Sequence, residues 1–137
     1  MKYLLDVNAL VALTLNSHEF HERVAAWVGR NANERFVLAT CPITELGFVR
    51  VLAQIPDYRI TVAQGQALLA QLKSSKTVKI LFIADDHDAS LLPSWVKGPR
   101  QTTDGHLAEL ARSKGALLAT LDRGIPGSFR IPGAAKT

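Results

Sequence analysis

Apolar residues in this chain gather into short runs that stop at a carboxylate or a turn signal, and between the runs they recur at helical spacing. Lys2 to Leu5 is one run, ending at Asp6, and Ala116 to Leu121 is another, ending at Asp122. Runs of this length bounded by polar residues read as buried strands. Further runs near residues 36–40, 78–84 and 128–131 complete the set of predicted strands. Ser17 is placed to cap a helix with Val24, Trp27 and Val28 on one face, ending around Gly29 to Asn33. Pro42 to Gln54 carries Ile43, Leu46, Val49 and Leu52 at helical spacing, widened by Phe48, and proline suits the first helical position. Thr61 caps the next helix, whose larger apolar residues are Val62, Leu68, Leu69 and Leu72, with Lys73 and Lys76 at its C-terminal end. Thr103 caps a last one, in which Leu107, Leu110 and Ala111 follow Asp104. Strands alternating with helices of these lengths predict an α/β fold, with right-handed crossovers covering both faces of a parallel sheet of four to five strands. Residues 85–100, with Pro93, Gly98 and Pro99, read as irregular apart from one helical turn.

That pattern places four carboxylates alike. Asp6 and Asp122 end strands, Glu45 lies in or just after the first turn of a helix, and Asp104 opens another. Open parallel sheets bind ligands beyond the carboxyl ends of their strands, where helix N-termini also point, so all four acids are expected along one edge. One such acid alone is a cap or a solvated turn, but four coincident placements argue for a site. Clustered carboxylates repel each other and raise their pKa values unless a cation neutralises them. Mg²⁺ and Mn²⁺ favour oxygen ligands. Such an ion lowers the pKa of a water, orients a phosphodiester and stabilises the leaving oxygen, which is nuclease chemistry without a covalent protein intermediate. Asn8 and Thr120 are expected to hydrogen-bond around the acids.

Composition sets bounds on the partners. The 137 residues, 47% hydrophobic with 6 prolines, suit one domain over 1–137. No apolar stretch reaches the roughly 18 residues of a membrane span, and the N-terminus enters a strand without a leader pattern, so a cytoplasmic location is expected. Cys41 stands alone, cannot form an internal disulfide, and is expected to be a small buried residue. Net charge is +4 although the site concentrates acids, so basic charge dominates elsewhere and either attracts a polyanion such as nucleic acid or serves solubility. Arg50, Arg100, Arg112, Lys114 and Arg123 lie nearest the acidic segments, and of these Arg50, Arg100 and Arg123 are the candidates for RNA phosphates. Trp95 is the candidate for stacking on a base, whereas Trp27 is expected in the core or at a dimer interface.

Other chemistries fit the string less well. An aspartate-based phosphatase needs a second aspartate two residues after Asp6, where Asn8 stands. KILFIADDHD (79–88) resembles the opening of a response-regulator receiver, but too little chain follows for that fold. Asp85, Asp86 and Asp88 are expected to be a solvated strand-end cluster, with a part in holding metal or repelling wrong substrates left open. His18 and His21 lack a zinc-protease partner, since Glu22 occupies its position, and are expected at a surface or partner contact. His106 lies about 200° around an ideal helix from Asp104. No phosphate-binding glycine loop is present.

The segments LLDVNAL (4–10), TELGFVR (44–50) and TTDGHLAELARSKGALLATLD (102–122), with the trailing RGIP, resemble the PIN-domain family, specifically the VapC ribonuclease toxins of bacterial toxin–antitoxin pairs. The resemblance spans essentially the whole chain. It implies an α/β/α sandwich, RNA cleavage dependent on Mg²⁺ or Mn²⁺, a homodimer, and inhibition by a cognate VapB-type antitoxin. Its four acidic positions fall on Asp6, Glu45, Asp104 and Asp122, with Asp6, Glu45 and Asp104 as the expected anchors of the metal and Asp122 completing the pocket. The alternative is a PIN-like module that binds RNA or protein without cutting. Gly105 stands where such proteins often carry alanine, and would let substrate backbone approach closely.

Overall fold

Leu4 and Leu5 face opposite ways, and the same alternation runs through each central strand. Leu4, Ala39 and Leu118 pack into one buried cluster, and Leu5, Leu38 and Ala119 into another. Successive side chains of a strand point to opposite faces, so two cores imply a sheet covered on both sides. The computed structural model, which describes residues 1–133, has that sheet: β1 (Lys2–Leu5), β2 (Val37–Thr40), β3 (Lys79–Phe82), β4 (Ala116–Thr120) and β5 (Phe129–Arg130), all parallel, in the order β3-β2-β1-β4-β5. Helices α1 (Val7–Thr14), α2 (His21–Asn31), α3 (Pro42–Gln54) and α4 (Val62–Lys73) supply the first core with Leu10, Trp27, Phe48 and Leu69. Helix α5 (Thr102–Ser113) supplies the second with Leu107, Leu110 and Ala111.

The strand order explains the division. The chain steps outward from β1 to β2 and β3, then returns to the other side of β1 for β4 and β5. Crossovers of one hand that move in opposite directions must pass over opposite faces, so α5 lies alone opposite the other four. The direction reverses between β1 and β4, and a crevice opens there beyond the strand ends.

Several local expectations need correction. Helix α2 starts at His21, with Phe20 in the capping position, so Ser17 caps nothing there. Thr103 lies inside α5, whose start is prolonged by a 3₁₀ turn at Pro99–Gln101, and Thr102 donates its hydroxyl hydrogen to the Pro99 carbonyl. Asp104 still falls in the first turn. Thr61 does cap α4, its hydroxyl accepting from the Gln64 N–H while the Gln64 side-chain oxygen accepts from the Thr61 N–H. Trp27 is core, edge-on to Tyr3 and Phe36. Cys41 is fully buried and opens α3.

Two helical glycines set how closely α3 is approached. A Cβ at Gly47 would lie 2.6 Å from the Val7 Cγ2 of α1, and valine is stiff at χ1. A Cβ at Gly65 would meet Val49 at an ordinary 3.7 Å. Gly47→Ala is therefore expected to destabilise the fold by about 1–3 kcal/mol, and Gly65→Ala to stabilise it by up to about 1 kcal/mol. Urea unfolding midpoints of the two variants check this contrast.

Candidate metal centre

Asp6 is built into the fold at two points. It ends β1 and caps α1, one carboxylate oxygen accepting from the Val7 N–H at 2.8 Å and the other from the Thr120 hydroxyl at 2.8 Å. Thr120, the buried last residue of β4, also accepts from the Asp122 N–H at 3.1 Å and from the Asn8 amide at 3.5 Å. Asn8 in turn accepts from the Leu121 N–H at 3.2 Å. One hydroxyl thus ties the ends of β1 and β4 together.

The acids separate into two groups. Asp6, Asp104 and Asp122 each offer a carboxylate oxygen within 4.8 Å of the others, the only such cluster among the described residues. Burial raises the Asp6 carboxyl above its ordinary value, the neighbouring charges of Asp104 and Asp122 add to this, and the hydrogen bonds from Thr120 and Val7 oppose it. Asp104 is raised by burial and then by Asp122. Three carboxylates held this close form a donor set for a hard cation. Glu45 lies outside this cluster: its Oε2 accepts from the Thr40 hydroxyl at 2.6 Å and pairs with the Lys73 Nζ at 2.6 Å.

The pocket holding the three aspartates is about 330 Å³ and is also lined by Val7, Val11, His18, Val51, Ile55 and Tyr58. Sequence reasoning had not brought His18 or Tyr58 here, because no pattern marks the α1–α2 and α3–α4 connections as neighbours. Arg50, Arg100 and Arg123 are exposed and not ion-paired among the described residues. Arg123 lies close enough to Arg23 and Arg130 that their charges, after burial, lower the Arg23 pKa. Trp95 is packed against the second core and lines a different pocket with Ala108 and Arg112 of α5 and Ala116 to Leu118 of β4.

The segment before α5 differs from expectation. Asp85 is mostly buried and its Oδ2 meets the His106 Nε2 at 2.5 Å, so it is not part of a solvated cluster. Burial works to raise its carboxyl, but the hydrogen bonds from His106 and the His87 N–H hold it below the ordinary range. Asp86 pairs with Lys114, and Asp88 caps a 3₁₀ turn at Ala89–Leu91. His106 is thus engaged away from the aspartates. A Cβ at Gly105 would collide with Val96 Cγ2 and lie 3.3 Å from Pro93, so what approaches this glycine is the protein's own chain.

The PIN domain family model matches residues 3–127. This chain belongs to the PIN-domain family. The PIN domain is 42% identical over 127 residues to ribonuclease VapC38 of Mycobacterium tuberculosis, covering 89% of this chain and 86% of that one. It is 36% identical over 146 residues to ribonuclease VapC44 of the same species, covering 99% and 96%. Among solved structures, Rickettsia felis VapBC2 bound to a DNA fragment from its promoter superposes with TM-score 0.59 at 15% identity, over 94% of this chain and 96% of that one. M. tuberculosis VapC20, a toxin that cleaves the sarcin–ricin loop, gives 0.56 at 15%, over 88% and 91%. At that identity the agreement concerns the fold, an α/β/α sandwich.

Proposed function

We propose that this PIN domain is a metal-dependent endoribonuclease, the toxin of a VapBC-type pair, and that 1–137 works as one nuclease domain. The observation that carries the reading is the triad of Asp6, Asp104 and Asp122 at the β1/β4 crevice, graded from buried Asp6 through half-buried Asp104 to exposed Asp122. Two relatives at 42% and 36% identity named ribonucleases support the same reading.

The donors fit Mg²⁺ or Mn²⁺: all are carboxylate oxygens, and Asp6 and Asp104 have pKa values raised by burial and then by neighbouring carboxylates, a cost that a cation removes. When bound, such an ion supplies positive charge that polarises a phosphodiester and acidifies water. The aspartates hold it, with Asp6 kept in place by Thr120 and Val7 and Asp122 by the Thr120 contact to its N–H. Glu45 stands apart from them, its Oε2 held by Lys73 and Thr40. Arg123, beside Arg23 and Arg130, offers phosphates a basic approach, and Arg50 and Arg100 present further exposed charge. RNA as substrate, a VapB-type antitoxin as partner, a homodimer and a cytoplasmic location complete the proposal. No described helix is long and apolar enough to cross a membrane. Cleavage of total cellular RNA is expected in Mg²⁺ or Mn²⁺ and not in EDTA; pure protein that cuts no RNA with either ion overturns the reading.

A stability test is independent of activity. The raised Asp6 and Asp104 carboxyls are protonated more readily in the folded than in the unfolded chain. Their contribution is therefore fully present below the ordinary value of 3.8 and is lost as pH rises through the folded values. At pH 7 the metal-free protein bears that cost. Mn²⁺ is expected to raise Tm at pH 7, and by less at pH 5, where protons compete for the same oxygens. Melting curves with Mn²⁺ and with EDTA at both pH values check this; no shift at pH 7 counts against the site.

A further inference from the structure

We infer that the apolar half of the aspartate pocket is a nucleobase subsite, in which His18 and Tyr58 hold the base of a nucleotide whose phosphate lies at the Asp6, Asp104 and Asp122 end. The inference rests on the ribonuclease reading and adds the part of the site that chooses among RNA sequences.

The pocket has two unlike ends in one volume of about 330 Å³, room for a nucleotide's base and sugar. One end carries the three carboxylates. The other is walled by Val11 of α1, by Val51 and Ile55 at the end of α3, and by the rings of His18 and Tyr58. Ile55 keeps 37% of its surface exposed, so the fold leaves an apolar rim here uncovered. Metal-held phosphates and their own bases are joined by a single sugar, so a phosphate fixed at the carboxylates brings a base to the opposite wall.

His18 is held in place. Its backbone N–H donates to the Leu15 carbonyl and its carbonyl accepts from the His21 N–H, both at 3.0 Å, while its Nδ1 accepts from the Phe20 N–H at 3.0 Å. That last bond places the proton of the neutral ring on Nε2, which leaves an N–H donor for a base-edge acceptor. Tyr58 closes a 3₁₀ turn fixed by the Ile55 carbonyl and by Arg59, whose φ of 51° is left-handed. Two rings and the aliphatic side chains of Val11, Val51 and Ile55 in one lining suit the π-faces of an unpaired base, which is how proteins read single-stranded RNA. A protein side chain in the same place would fill the apolar wall and leave the carboxylate end, once it holds a cation, without an anion.

The test uses His18→Asn, whose Oδ1 can take over from Nδ1 as acceptor for the Phe20 N–H, and Tyr58→Leu, which keeps apolar packing without the ring. Each full-length variant and the wild type is given a pool of RNA with a randomised hexamer in Mn²⁺, and the product ends are sequenced. One further hexamer lacks the base beside the cut. Wild type is expected to prefer one base or base class at a single position next to the cleaved bond. Both variants are expected to flatten that preference, losing about 5- to 100-fold more kcat/KM on the base-bearing RNA than on the abasic one, the range of one lost base–aromatic stack. An unchanged preference, or equal losses on the two RNAs, overturns the subsite. Anisotropy with labelled hexamers in Ca²⁺ separates the two readings: base-dependent binding that His18→Asn abolishes, with no cleavage by wild type in Mg²⁺ or Mn²⁺, sinks the ribonuclease and keeps the subsite. Absence of both cleavage and base-dependent binding sinks both.

Discussion

Asp6→Asn and Asp104→Asn are each expected to yield a folded protein whose RNA cleavage falls by roughly 10²–10⁴-fold, because a metal's several kcal/mol of transition-state stabilisation would be lost at 1.36 kcal/mol per tenfold. An amide is close to isosteric with a carboxylate but brings no charge to a hard cation. In Asp6→Asn the amide oxygen can still accept from the Val7 N–H, so the α1 cap survives and loss of fold is not the expected cause. Glu45→Gln is expected to cost about tenfold or less, since Oε2 is occupied by Lys73 and Thr40 and stands outside the cluster. The measurement is kcat/KM on one RNA at saturating Mn²⁺, with a melting curve for each variant. A Glu45→Gln loss as large as that of Asp6→Asn would mean that Glu45 enters the site.

Thr120→Val is the second substitution with a large expected effect, although its residue bears no charge. Valine fills the same space and keeps the β-branch favoured in a strand, so the sheet is expected to hold. What disappears is a hydroxyl that donates to Asp6 and accepts from the Asp122 N–H and the Asn8 amide. Asp6 loses the strongest of the bonds that favour its charged form, and two strand ends lose their common anchor. Groups that orient ligands in this way are worth about 10–100-fold in metal affinity or activity. Mn²⁺ binding followed by electron paramagnetic resonance is expected to weaken by that factor; unchanged affinity would reduce Thr120 to packing.

Much of the architecture was legible because the strands are short apolar runs and α3, α4 and α5 carry a helical period, with Pro42 and Thr61 marking two of the starts. The misses have physical causes. Residues 7–14 form α1 with Ala9, Leu10, Val11 and Ala12 all buried, so the run is apolar on every side and shows no helical period. Ser17 looks like a cap, but the backbone there is already tied by the contacts of His18 with Leu15, Phe20 and His21. In the site, position along the sheet edge was readable and pairing was not. Sequence spacing says that Glu45 reaches the edge, but not that Lys73, at the end of another helix, takes its oxygen. Asp85 is similar: its neighbours Asp86 and Asp88 suggest solvent, whereas His106 on α5 turns it inward.

The bond between Thr120 and Asp6 joins residues 114 positions apart. During synthesis the first aspartate is made with β1, yet its hydroxyl partner follows only 114 residues later, and Asp122 after that. No amino-terminal fragment that stops before β4 can assemble the triad, so a growing polypeptide carries no nuclease centre while it is still on the ribosome and unfinished. Pairing of chain ends this far apart is also slow, since the loop between them must close before the contact is gained. The topology itself therefore acts as a timer, delaying the centre until β4 and Asp122 have been made.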